Sequence, residues 1–355
     1  MHNQILKNTL IAVPSTSIGG VANYYKSIYP YLKNHNISYL PIGINKPGTL
    51  SIISLIKSIY DLKNKINKKN YSVYIVNPSL DIKSIIRDTI LVMIAKNNAL
   101  RVIIFFRGWN VNYERCINIF PSLIRPLLKN ANCIIVLSSD FKKALRKWGF
   151  NKHISIETTT FNRDILDFIK KNKNKSDTLN LLFLSRLLKE KGIYTTIDTF
   201  RLIRRKNKNV KLIIAGDGPE KENIIKLTSK DESIEILGWL EGKEKYQKLK
   251  NSDIFIFPTY HNEGMPNSIL EAMAFGLPVI TRNVGGLKDF FKNEKNGFIT
   301  KSKDPKIFAK YLERLLVDNK LRKNISNYNT NYAMKVFSPE IVSSRIIKII
   351  KCQQS

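Results

Sequence analysis

A chain of 355 residues with 43% hydrophobic content suits two domains, each with its own core, and is too apolar to be disordered. Its net charge of +31 and pI near 9.9 favour phosphorylated ligands or an anionic surface, although an excess of Lys, Asn and Ile is also what an AT-rich genome supplies. Three widely spaced cysteines (Cys116, Cys133, Cys352) and four scattered histidines exclude a disulfide framework and a zinc knuckle, and no run approaches the roughly 18 apolar residues of a membrane span.

The first apolar run, Thr9 to Pro14, reads as a strand and is too short for a signal peptide, so the expected location is the cytoplasm. A small-residue turn from Ser15 to Gly20 leads into a helix from Val21 to Leu32. Strands then follow at Ser38–Ile42, Ser72–Val76, Arg101–Phe106, Cys133–Leu137 and His153–Ile156, separated by helical runs at 49–68, 81–96, 115–129 and 140–148. The polar stretch Lys170 to Asp177 is the expected linker. Beyond it the alternation repeats, with strands at Leu179–Leu184, Val210–Ala215, Ile234–Leu237, Ile254–Phe257 and Val279–Ile280. Helices fit 193–205, 219–229, 243–250, 267–275 and 305–317, and a last one, Glu340 to Lys351, follows Ser338-Pro339. Alternating strands and helices predict an α/β chain of parallel sheets with domains at 1–170 and 171–337, and a terminal helix within 338–355.

In open α/β sheets, ligands bind beyond the carboxyl ends of the strands. Gly19-Gly20, Arg107-Gly108, Arg186, Gly216-Asp217-Gly218-Pro219 and the loop after Phe257 all fall there. Glycine pairs let backbone amides approach a phosphate. The Gly216 loop lacks the third glycine of a dinucleotide fingerprint, Lys221 standing in its place, which argues against a nicotinamide or flavin enzyme. In the loop after Phe257, Glu263-Gly264-Met265-Pro266-Asn267 leads into a helix carrying Glu271, with Pro266 fitting the first helical position and Gly276 the residue past the end. Amides at a helix start attract anions, and carboxylates accept hydrogen bonds from hydroxyls, so this stretch suits a ligand with both phosphate and sugar.

Glu263-Gly264-Met265-Pro266 followed by Glu271-Ala272-Met273-Ala274, Gly276 and Pro278-Val279-Ile280 resembles the E-x7-E signature of the retaining GT-B glycosyltransferases of family 4. Arg186 to Gly192 is similar to that family's R-x4-K-G element, Gly216-Asp217-Gly218-Pro219 to its G-x-G-P loop, and Gly19-Gly20 to its N-terminal glycine loop. The resemblance implies two Rossmann-like domains facing each other across a cleft, the C-terminal helix crossing back to the N-terminal domain. It implies a nucleoside-diphosphate sugar as donor and a glycan or lipid-linked glycan as acceptor, in bacterial surface polysaccharide or lipopolysaccharide synthesis. Glu263, with the Gly264 and Met265 amides, would hold the sugar, Glu271 the ribose, and Arg186 and Lys191 the diphosphate. Trp239-Leu240 would lie by the base, unless Trp239 is a core aromatic. No Asp-x-Asp occurs in the chain, so no metal and no other cofactor is expected, the phosphate charge being met by Arg186, Lys191 and helix N-termini.

Two positions depart from the family pattern. Phe106-Arg107-Gly108 stands where the family commonly has His-Gly, so Arg107 either hydrogen-bonds sugar or phosphate or grips an anionic acceptor. Thr158-Thr159-Thr160-Phe161-Asn162 stands where it has Asn-Gly. A GT-B nucleotide-sugar 2-epimerase would need further acid/base carboxylates and histidines, and a basic nucleic-acid-binding protein would need helix-turn-helix or aromatic RNA-binding signatures; neither set is found. Ile52, Leu55, Ile56, Ile59, Leu62 and Ile66 share a helical face ringed by lysines, and a second basic helix, Phe141 to Trp148, ends in Trp148-Gly149-Phe150. Each apolar face either packs on the sheet or docks on the inner, anionic face of the cytoplasmic membrane.

Overall fold

In the computed structural model, which describes residues 7–15, 19–43, 52–169, 178–261 and 264–354, the apolar runs become parallel strands. Runs such as Cys133-Ile134-Ile135-Val136 are apolar at every position because both faces of the sheet are covered by helices. The expected linker at 170–177, residues 16–18 of the first turn, the first residues of the 49–68 helix and Glu263 lie outside the described residues.

Contacts divide the chain into unit 1, Met1–Thr160 with Pro339–Ser355, and unit 2, Phe161–Ser338. The division falls upstream of 170–177 because Phe161 and Ile165 are buried in the core of unit 2.

Unit 1 begins with β1 (Thr9–Pro14), α1 (Gly20–Leu32), β2 (Ile37–Ile42), α2 (Ile52–Lys68) and β3 (Val73–Val76). There follow β4 (Ser79–Leu80), α3 (Ile82–Asn97), β5 (Arg101–Phe105), β6 (Gly108–Trp109) and α4 (Val111–Ile119). After a 3-10 turn at Pro121–Leu123 come α5 (Arg125–Asn130), β7 (Cys133–Val136), α6 (Ser139–Lys147) and β8 (His153–Ile156). Its main sheet runs β2-β1-β3-β5-β7-β8, so the winding reverses between β1 and β3.

Unit 2 holds α7 (Ile165–Ile169), β9 (Leu179–Leu184), a 3-10 turn at Lys189–Lys191, α8 (Ile193–Arg204), β10 (Val210–Ala215) and α9 (Lys221–Thr228). Next are β11 (Ile234–Gly238), α10 (Gly242–Asn251), β12 (Ile254–Phe257), α11 (Asn267–Ala274), β13 (Val279–Arg282) and α12 (Leu287–Phe290). It closes with β14 (Gly297–Thr300), α13 (Pro305–Val317) and α14 (Asn319–Phe337). The order β11-β10-β9-β12-β13-β14 is also doubly wound, with two strands in place of one beyond the first strand and the reversal between β9 and β12. The last helix, α15 (Pro339–Cys352), belongs to unit 1. Val342, Ile346 and Ile350 join that core, and Arg345 Nε donates to Glu157 Oε2 at 2.8 Å.

One expectation is corrected. The single helix expected at 115–129 is broken into α4, a 3-10 turn and α5, since Pro121 and Pro126 supply no N–H to a continuous helix. The long helix α14 carries no clear sequence signal because asparagine is a poor helix former. It is held by tertiary bonds: buried Asn329 donates to the carbonyls of Leu277 and Asn296 and accepts from Asn296 Nδ2 at 2.8 Å. The basic helix ending at Trp148 faces inward, with Phe141, Leu145, Trp148 and Phe150 buried and the Trp109 ring stacked 4.2 Å from Phe141 and 5.6 Å from Trp148. The other amphipathic helix, α2, divides its apolar residues: Leu62 is buried and Ile59 and Ile66 pack on the core, while Ile52 and Ile56 are 77% and 60% exposed.

Candidate active site

In unit 2 the loops after β9, β10, β11 and β12 are bonded to one another at the carboxyl ends of the strands. The chain leaves β9 through Ser185-Arg186-Leu187, and buried Leu187 anchors the turn that carries Arg186 outward. The Leu187 amide donates to Asp217 O at 2.9 Å, and Leu187 O accepts from the Glu220 amide at 3.1 Å. The Gly216 amide reaches Gly238 O at 2.6 Å, adding the end of β11 to the set. On the other side, Glu190 O accepts from the amides of Tyr260 at 2.8 Å and His261 at 3.0 Å and from Thr259 Oγ1 at 3.2 Å. These bonds tie together the two loops that flank the reversal, which is where doubly wound sheets bind ligands.

Two glycines make the close approach possible. A Cβ at Gly216 would lie 1.8 Å from the Ser185 carbonyl oxygen, and one at Gly192 would lie 2.4 Å from Pro258 O. Both also have positive φ, 152° and 84°, which favours glycine. Gly216→Ala is therefore expected to push the β10 loop off Arg186, lowering stability by about 2 kcal/mol or more. A urea unfolding midpoint measured beside that of the parent chain checks this.

Within this frame, Lys191 is buried, only 7% exposed, whereas Arg186 is exposed. Asp217 is also exposed, and the Lys221 ammonium, 3.0 Å away, and the Gly218 amide hold its carboxyl below the usual carboxylate range. Asp217 thus shapes its loop through Gly218, and its charge is offset by Lys221. Trp239 is 59% exposed, so it is not a core aromatic; it stands next to Leu240, which packs on the core.

Pro266 takes the N-cap position of α11, one residue earlier than expected, with extended backbone at ψ 116°. No side chain caps the helix, so the amides of its first turn are unclaimed by side chains. Gly264, Met265 and Asn267 are half-buried beside it, and Asn262 and Glu263 lie outside the described residues. Glu271 is 6% exposed, and its Oε1 is engaged by Lys245 Nζ at 2.7 Å, leaving Oε2 as the carboxylate acceptor. The remaining expected residues, Gly19, Gly20 and Arg107, belong to unit 1. Gly19 and Gly20 are exposed at the start of α1, and Arg107 follows β5.

Two residues of this region escaped sequence reasoning. Lys245 sits in the lysine-rich segment Gly242-Lys243-Glu244-Lys245, where nothing marks it apart from its neighbours. Arg282, at the end of β13, is buried and donates through Nε to Ser302 O, through Nη2 to Lys301 O and through Nη1 to Thr259 O at 2.6, 2.6 and 3.5 Å. It braces the β12 loop, and an arginine closing a strand carries no such signal in sequence.

Two doubly wound α/β units, one with interlocked strand-end loops bearing Arg186 and Lys191, define the GT-B fold class. Residues 164–332 match the family model described as "Glycosyl transferases group 1". It is 30% identical over 211 residues to the capsular polysaccharide biosynthesis glycosyltransferase CapM of Staphylococcus aureus, covering 58% of this chain and 54% of that protein. The matched stretch thus spans about half of that relative's length. Among solved structures, sucrose-phosphate synthase from Thermosynechococcus elongatus shares the fold with a TM-score of 0.77 at 15% identity, over 98% of both chains. Anabaena HepE, solved in complex with UDP-glucose, does so with a TM-score of 0.72 at 16% identity, over 97% of this chain and 99% of that one.

Proposed function

We propose that this chain transfers a sugar from a nucleoside-diphosphate sugar to a hydroxyl of a glycan or lipid-linked glycan, with retention at the anomeric carbon. The observation that carries the reading is the bonding of the β9 loop to the β12 loop through Glu190 O, which fixes buried Lys191 at the winding reversal of unit 2. The capsular polysaccharide role named for CapM supports a bacterial surface glycan as product, and the UDP-glucose of HepE supports a nucleotide-sugar donor.

Breaking the bond between the anomeric carbon and phosphate oxygen leaves negative charge on the diphosphate. Arg186, Lys191 and the N-terminal amides of α11 stabilise that charge, and amides already in place need little reorganisation as the bond breaks. No divalent ion is required in this scheme. The acceptor hydroxyl attacks from the face that the diphosphate leaves and gives its proton to the departing phosphate oxygen, so no protein nucleophile is used. Glu263 with the Gly264 and Met265 amides holds the sugar, Glu271 Oε2 the ribose, the Gly216-Asp217-Gly218 loop approaches the nucleotide, and Trp239-Leu240 borders the base. Unit 1 takes the acceptor, with Arg107 at the end of β5.

Incubation with a panel of nucleotide sugars and lipid-linked acceptors, reading free nucleoside diphosphate, tests the activity. Acceptor-dependent release that persists in EDTA is expected. Conversion of the donor without net release would mark an epimerase instead, and an inert panel would remove the reading.

No helix among the described residues is long and apolar enough to cross a membrane. Exposed Ile52, Ile53, Ile56 and Tyr60 on α2 nevertheless lie beside exposed Lys57 and Lys63, a combination that matches an anionic bilayer at the cytoplasmic face. The protein is expected to float with phosphatidylglycerol vesicles at low salt and not with phosphatidylcholine vesicles. Ile53→Glu with Ile56→Glu should abolish flotation, and equal flotation of the parent with both lipids would contradict an electrostatic dock.

A further inference from the structure

Arg107 is a cation held in place without a counter-ion. Its amide donates to Pro78 O at 2.9 Å, and the preceding Phe106 amide donates to Ile135 O at 3.0 Å, which pins the residue at the carboxyl end of β5. The guanidinium carbon lies 3.9 Å from the Tyr24 ring centroid and 4.4 Å from that of Phe105. Around it the strand ends are braced: Tyr25 Oη donates to Asn77 Oδ1 at 3.0 Å, and Asn77 Nδ2 donates to Ala12 O at 2.8 Å. No described carboxylate forms an ion pair with Arg107, and Glu157, an acid close enough to influence Tyr24, is taken by Arg345 at 2.8 Å. Arg107 Nη1 and the Tyr24 hydroxyl are both buried without a hydrogen-bond partner.

A charge in such a setting works against folding. Aromatic faces return part of the lost hydration, but a desolvated cation is fully compensated only by an anion. Burial pulls the Arg107 pKa down, yet a guanidinium starts so high that it stays charged at neutral pH. Burial pushes the Tyr24 phenol up, so it keeps its proton and remains a donor. The side chain as a whole retains partial exposure, and its place beyond β5 is on the ligand-binding edge of a doubly wound sheet.

We propose that Arg107, walled by Tyr24 and Phe105, is the anchor of an anion subsite in unit 1 that takes a phosphate or carboxylate carried by the acceptor. This rests on the glycosyltransferase reading above, and it names the acceptor's chemical class as anionic. The same guanidinium chemistry would suit the donor's diphosphate, so the test must separate the two sources.

Arg107→Met and Arg107→Lys are compared with the parent in three measurements: melting temperature, calorimetric affinity for nucleoside diphosphates, and affinity for a sugar 1-phosphate beside the matching octyl glycoside. Arg107→Met, which fills the aromatic slot without charge, is expected to raise Tm by about 2–4 °C. It should weaken the sugar 1-phosphate by roughly tenfold or more, while octyl glycoside and diphosphate affinities change by less than about twofold. Arg107→Lys should keep part of the phosphate preference, because it keeps the charge and loses the fork. Unchanged sugar 1-phosphate affinity in Arg107→Met overturns the subsite. Loss of diphosphate affinity instead assigns the anion to the donor and overturns the acceptor assignment. Should the parent bind no nucleoside diphosphate at all, the donor reading fails, and sugar 1-phosphate affinity still decides the subsite.

Discussion

Lys191→Ala is expected to lower kcat by about 10²–10³-fold, the range seen when one preorganised donor to a developing oxyanion is removed. The size follows from the residue's position. Lys191 is 7% exposed and sits where Glu190 O clamps the β12 loop, so its ammonium acts in a setting of low dielectric and is already in place when the diphosphate leaves. Arg186 is exposed and screened, so Arg186→Ala should cost less, about tenfold, and more of that in KM than in kcat. Lys191→Met keeps the aliphatic stem in its packing and separates charge from fold. Steady-state kinetics of the three variants check the order. Equal losses for both cations, or a loss in Lys191→Met that tracks melting temperature alone, would place the role of Lys191 in folding and not in catalysis.

The second large effect belongs to a residue that looks like any other surface lysine in sequence. Lys245 Nζ lies 2.7 Å from Glu271 Oε1, with the two side chains 20% and 8% exposed. Removing one partner of such a pair leaves a carboxylate desolvated and alone, which costs about 3 kcal/mol when burial is nearly complete. Lys245→Met is therefore expected to destabilise unit 2 and to raise KM for the donor by about 10–100-fold with a smaller change in kcat, since Glu271 loses the contact that orients it. A structural role alone would not depend on the donor's ribose. With a 2′-deoxy donor, the penalty of Lys245→Met should shrink to within a few-fold, because the hydroxyl that Glu271 would accept from is gone. An undiminished penalty with that donor would show that Lys245 does not act through Glu271 on ribose.

The plan of the fold was legible because strand signals are local. Parallel strands buried on both faces leave unbroken apolar runs, and the helices between them keep their amphipathic period, so every strand of the two main sheets except β14 could be placed closely from the apolar pattern. What could not be read depends on partners distant in the chain. The helix Asn319–Phe337 stands because Asn329 satisfies the Leu277 and Asn296 carbonyls, a requirement that no residue of the helix announces. Helix α2 turns Ser54 and Ser58 inward and Ile53 and Ile56 outward, so an apolar period that could equally have packed on the sheet became in part a surface. In the site, spacing was enough to place Arg186 and Lys191 on one strand-to-helix turn, because so short a turn allows few arrangements. The same reading could not see that Lys245 occupies one oxygen of Glu271, or that Arg107 has aromatic rings for company in place of a carboxylate.

The central claim is that unit 2 binds a nucleotide through its diphosphate by means of side-chain cations and backbone amides. Calorimetric titration of the parent chain and Lys191→Met with nucleoside mono- and diphosphates, in EDTA throughout, addresses it directly. The account predicts that one diphosphate binds the parent at least about tenfold more tightly than its monophosphate, and that Lys191→Met abolishes this preference. Equal affinity for mono- and diphosphate, or binding that appears only when magnesium is restored, would contradict it.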